Sequence, residues 1–144
     1  MFHKLLRGAQ LPGRVFLSAI FLMSGVHKIT AWSATAESMR GEGMPEQAVP
    51  LLLAGAIVFE LGGGLSVLLG LKARLGALAL IVFLIPTTVI FHDFWTYGEA
   101  SAMQNQMQHF MKNLAILGGL FFVLGSGPGC CSVDSLYRSR DRND

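Results

Sequence analysis

Residues 24–32 read SGVHKITAW, and they close an apolar run, VFLSAIFLMSGV, at residues 15–26. The run has twelve residues. At roughly 1.5 Å per residue it covers about 18 Å of a hydrocarbon core about 30 Å thick, where a crossing helix needs about 20 residues. A helix that carries His27 and Lys28 onward, from residue 15 to residue 34, has the required length. It places Trp32 where amphipathic rings collect at a bilayer surface, with Lys28 about six residues, roughly 9 Å, below that surface. The run followed by Ala34-Thr35-Ala36 also has the outline of a secretory leader, but His27-Lys28 interrupts the approach to that site, so an uncleaved span is expected.

The rest of the chain agrees with a membrane class. Of 144 residues 52% are hydrophobic and 14% charged, against about 25% charged in soluble domains. A formal charge of +2 argues against a nucleic-acid partner. Three further apolar runs follow: residues 49–71 with the single charge Glu60, residues 75–91 with none, and residues 110–126 with Lys112. The expected fold is an all-α membrane protein, a single four-transmembrane-helix bundle over residues 1–144, with spans near 15–34, 49–71, 73–92 and 108–126 and a short, loosely ordered tail at 127–144.

Basic residues set the expected orientation. Lys4, Arg7 and Arg14, then Lys72 and Arg74, then Arg138, Arg140 and Arg142 fall on one side, so both termini are expected to be cytoplasmic, with 33–48 and 93–108 facing outward. Cys130 and Cys131 then lie in a reducing compartment and are expected to be plain thiols. Pro86 removes a helical donor and predicts a kink in the outer third of the third span, with Thr87 and Thr88 beside it to satisfy freed carbonyls. Ser101 reads as the cap of a helix leading into the fourth span.

Ionisable groups at membrane depth are costly and therefore candidates for function. They are His27, Lys28, Glu60, His92, His109 and Lys112, with Asn113 as a polar companion. All fall in the outer half, while the inner half reads as apolar. Glu60 shares a helical face with Ala56, Gly63 and Gly64, and Lys28 with Ser24 and Gly25. Small residues let helices approach in membranes, so these faces point into the bundle. A polar pocket is expected, with Glu60 at its floor, Lys28 as its ion-pair partner and His92 as the third chemically active group. His27, His109, Lys112 and Asn113 would line it toward a ligand. Gly62, Ser66 and Gly70 read as packing positions.

The competing reading makes Glu60 and Lys28 a structural pair, with His92 and Lys112 hydrated near helix ends. No spacing is diagnostic of a metal site. Bis-histidine haem ligation would fall to His27 with His92 or His109, which lie too high.

The chain also resembles the DoxX family of small bacterial inner-membrane proteins, which includes DoxD-like subunits. The resemblance rests on Arg14 followed by FLSAIFLMSGVHK, on Gly43-Met44-Pro45, FELGGGLSVLLGLKAR at 59–74, HDFW at 92–95, FMKNLAILGG from Phe110, and GPG with Ser132 and Asp134. It implies a four-helix membrane fold and, in some members, association with quinone-dependent sulfur oxidation or redox-stress complexes. It marks Lys28, Glu60, Arg74, His92, Asn113, Ser132 and Asp134 as motif residues; Cys130-Cys131 departs from its pattern.

Three functions are compatible with these readings. The first is a subunit of a quinone-linked redox complex, working with another membrane or periplasmic subunit and open to homo-oligomerisation; the quinone would be its cofactor, since the chain encodes no electron carrier. The second is a non-enzymatic membrane partner. The third, a small transporter, needs access from both sides, against which the apolar inner half argues.

Overall fold

The computed structural model describes residues 9–140. Lys4, Arg7 and Arg142, counted above toward the basic side, lie outside them. Helix α1 covers Gln10–Thr30, α2 Trp32–Gly41, α3 Val49–Leu69, α4 Ala73–Phe91, α5 Ala100–Ser126 and α6 Val133–Arg140, with a 3-10 turn at Phe94–Thr96. Among the described residues there is no strand. Three helices, α3, α4 and α5, are long and apolar enough to cross a membrane, and a fourth crossing results if α1 and α2 count as one broken span.

The first span differs from its expected course. Helix α1 does not run on to residue 34; it stops at Thr30, and α2 leaves at 98°. The length is recovered at the other end, because α1 begins at Gln10 and its 21 residues extend about 31 Å. Ala31 has φ −110° and ψ 38°, outside the helical well, and its N–H closes the last turn on the carbonyl of His27. The fourth helix likewise starts earlier than residue 108. Its cap is Glu99, whose carboxylate accepts the N–H groups of Ser101 and Ala102, so Ser101 is a capped residue and not the cap. Helix α4 continues through Pro86 to Phe91, with Thr87 and Thr88 hydroxyls donating to the carbonyls of Phe83 and Leu84.

The four long helices alternate in direction, and each packs on its neighbour in the chain order α1, α3, α4, α5. Close approach is decided by glycine. A Cβ on Gly25 would come within 2.7 Å of Leu61, and one on Gly63 within 2.6 Å of Leu80, so a larger residue at either position would displace the leucine packed on it. Gly62 faces open space and is not a packing position. The core toward the end where α1 begins and α5 finishes, called the terminal end below, is formed by Phe21, Val67, Ala73, Ala77, Leu80, Ile81, Leu84, Leu117, Leu120 and Val123. At the opposite, loop-bearing end, Ala36 and Met39 of α2 pack on Val49 and Leu53 of α3. Helix α2 thus lies across the mouth of the bundle.

The described part of the tail, residues 127–140, is not loose. Arg14, 2% exposed, donates to the carbonyl of Cys131, and Asp134 accepts from the N–H groups of Lys72 (2.8 Å) and Ala73 (3.4 Å). Gly70, at φ +68°, ends α3 with its N–H and that of Leu71 directed to Val67 and Ser66 carbonyls; its missing side chain leaves the space that the Arg14 guanidinium and Ser132 occupy. Cys130 and Cys131 are exposed thiols with sulfurs 3.7 Å apart, and their mutual hydrogen bond pushes the Cys131 pKa up. The terminal end is therefore not wholly apolar: it buries Arg14 and Ser18.

Candidate functional site

The decisive geometry joins α1 to α3. Glu60 stands eleven residues beyond Val49, about 16 Å along α3, and is 4% exposed. Its Oε1 accepts from Lys28 Nζ at 2.9 Å and from Ser24 Oγ at 2.9 Å, and Lys28 also donates to Ser24 at 2.7 Å. Ser24 and Lys28 are one turn apart, so a single helical face presents both donors. Glu60 Oε2 is buried and has no partner. A buried carboxylate oxygen without a donor costs free energy comparable to a lost charged hydrogen bond. No donor to it is supplied among the described residues.

The facing wall comes from α4 and α5. Asn113, 7% exposed, donates to Thr88 Oγ1 at 3.1 Å, and Thr88 in turn donates to the Leu84 carbonyl at 2.7 Å. His92 Nδ1 lies 2.8 Å from Gln106 Oε1, and its ring stacks on that of His109 with centroids 5.1 Å apart. Lys112 Nζ lies 3.0 Å from His109 Nδ1. Between the walls is a cavity of about 620 Å³, within the roughly 300–1,000 Å³ usual for small-molecule sites. Ser24, Lys28, Glu60, His92, Lys112 and Asn113 all line it, among Phe, Leu, Ile and Met side chains. Met39 of α2 and Met44 of the following loop cover its outer end.

Six of the seven candidate positions therefore gather on one side of the bundle. Five line the cavity itself, and His109 stands behind His92. His27 is not brought in; it is exposed on α1 and contributes only its carbonyl, to the break at Ala31. The stacked pair His92–His109 does not face across a gap as two axial ligands would. No group of three or more metal-ligating side chains occurs among the described residues. Three participants lay outside the sequence reading as site residues: Ser24 as bridge, Gln106 as partner of His92, and the α2 roof. Ser24 carried a signal in its one-turn spacing from Lys28, whereas the roof depended on a bend that no glycine or proline marks.

A family model described as DoxX matches residues 9–93, which include α1 to α4 and both halves of the Lys28–Glu60 pair. The chain belongs to the DoxX family. Among curated relatives, the Escherichia coli inner membrane protein YqjF is 35% identical over 130 residues, covering 90% of this chain and 92% of that protein. The Escherichia coli inner membrane protein YphA is 30% identical, covering 86% of each. A Surfeit locus protein 4 homolog of Drosophila melanogaster is 25% identical over 87% of this chain but only 39% of its own length. No solved structure matches. With apolar helices of spanning length and these relatives, this DoxX-family chain is a multi-pass protein of the bacterial inner membrane.

Proposed function

We propose that this DoxX-family protein holds a quinone or quinol head group in the cavity beside Glu60, as a subunit of a quinone-linked redox complex of the inner membrane. In this reading the chain spans four times, both termini are cytoplasmic, and the cavity faces the periplasmic leaflet. The observation that carries it is the buried Oε2 of Glu60, without a partner among the described residues, in a cavity that joins a few polar groups to Phe, Leu, Ile and Met side chains. A phenolic hydroxyl is the donor such an oxygen lacks, and a flat substituted ring suits the Phe and Met walls.

A bound quinol supplies two-electron, two-proton chemistry. The residues then divide the work. Ser24 and Lys28 saturate Oε1 and hold the carboxylate in place, leaving Oε2 to take a proton from a hydroxyl. The His92 ring, oriented by Gln106, is the second proton acceptor on the cavity wall. Lys112 and Asn113 offer N–H donors to the opposite oxygen. A redox group on a partner subunit would have to accept the electrons, since side chains of these types carry none.

Glu60→Gln tests the reading, because it keeps shape and removes the charged acceptor. Quinol affinity in lipid nanodiscs should fall by about tenfold to a hundredfold, the worth of a hydrogen bond to a charged group. The thermal midpoint should fall, because Lys28 loses its anionic partner, while the variant still unfolds cooperatively. Unchanged affinity in a folded variant would leave the pair with a structural role alone.

A further inference from the structure

We propose that the cavity is entered sideways from the bilayer, between α3 and α4, and that its ligand is a lipid-dissolved amphiphile whose polar head meets Glu60 while its hydrocarbon tail leaves through that gap. This rests on the head-group site above and adds the ligand's tail and its route.

The cavity lining does not stop at the polar groups. It continues from Ser24 and Glu60 outward to Leu51, Gly55 and Phe59 on α3 and to Val82, Pro86 and Ile90 on α4. These are not core residues: Leu51 is 77% exposed and Val82 57%. Along this gap the opening is bounded at both ends. Toward the loop end, buried Met39 packs on Val49 and Leu53 as a roof. Toward the terminal end, α3 and α4 touch where Gly63 meets Leu80, and the stacked Phe59 and Phe83 rings, 6.2 Å apart and 11° from parallel, bound the gap from below.

The gap is open at Gly55, since a Cβ there would meet nothing within 4 Å. Every residue of the mouth is apolar, so a water-borne ligand finds no polar rim, whereas a hydrocarbon chain finds a surface like its own solvent. The apolar mouth is continuous with the orphaned carboxylate oxygen. That continuity selects one molecule with a donating head and an oily tail.

Labelling of the full chain in nanodiscs separates this entrance from the identity of the head group. A long-chain alcohol bearing a diazirine should, on irradiation, form adducts on Thr87 and Ile116, which line the cavity, as well as on lipid-facing Leu75. Gly55→Phe, or Val82→Trp if the first variant is unstable, should lower the Thr87 and Ile116 adducts by about tenfold while Leu75 is labelled as before. A phospholipid with the diazirine on its acyl chain should spare Ile116, because its bulky head cannot enter. Absence of inner adducts, or adducts indifferent to both substitutions, would overturn the lateral entrance. Equal labelling of Ile116 by the phospholipid would reduce the gap to an acyl-chain seat and overturn the head-and-tail assignment. No quinol is used, so loss of the quinol reading and loss of the entrance give different patterns.

Discussion

A lysine two residues from the end of α1 and a glutamate midway along α3 would each be costly in a bilayer alone. Paired at 2.9 Å, with Ser24 between them, they are tolerable, and the pairing was legible in advance from depth and from the small residues beside them. What it contributes is measurable. Lys28→Met should destabilise the protein by up to about 3–5 kcal/mol, the range for stranding one member of a buried pair, reduced because the Lys28 side chain keeps 20% exposure. The double variant K28M/E60Q should recover more than half of that loss, read from unfolding in detergent as a double-mutant cycle. Single-variant effects that simply add would show that the two groups are not coupled.

Among the elements, α3 and α4 could be placed from the sequence to within a residue or two, because their apolar runs begin and end at strong signals. Helix α1 could not. Ala31 is a good helix former, so nothing local announces a 98° bend; the packing of Ala36 and Met39 on α3 decides it. At the start of α5 the cap is an acid, which has a consequence for pH. The Ser101 hydroxyl and the Ser101 and Ala102 N–H groups bond the carboxylate of Glu99 and hold its pKa below the usual range. A carboxylate with a lowered folded pKa stabilises in full above its unfolded value of about 4.3 and loses that contribution as pH falls through the folded one. Wild-type thermal midpoints should therefore fall more steeply below about pH 4 than those of Glu99→Ala, which should already be lower at neutral pH.

At the level of the whole molecule, the tail joins the two ends of the chain. Arg14 near the start of α1 grips the carbonyl of Cys131, and Asp134 caps the turn between α3 and α4. Arg14→Gln should free residues 127–140 without opening the bundle. Limited trypsin digestion of the variant in detergent should cut this segment several-fold faster than in the wild type, with a near-normal thermal midpoint, since loops open at low free energy when their few anchors are lost. Unaltered cleavage would show that Asp134 alone secures the tail. Sequence reading counted Arg14 among the basic residues that set the orientation of the chain, because charge next to an apolar run ordinarily marks a membrane surface. Its buried guanidinium depends on the space left by Gly70, which lies 56 positions away in the chain (70 − 14).

The amino-acid sequence by itself determined the membrane class, helices α3 and α4 and the convergence of polar groups toward one half of the bundle, because hydrophobic length and helical periodicity are local properties of a chain. Only the tertiary structure decided that α2 folds across the mouth, that one oxygen of Glu60 has no donor among the described residues, that His27 faces away, and that the cavity lining reaches exposed residues of α3 and α4. Those outcomes depend on which side chains meet across helices far apart in sequence, and close packing settles such meetings by shape, which composition and spacing do not encode.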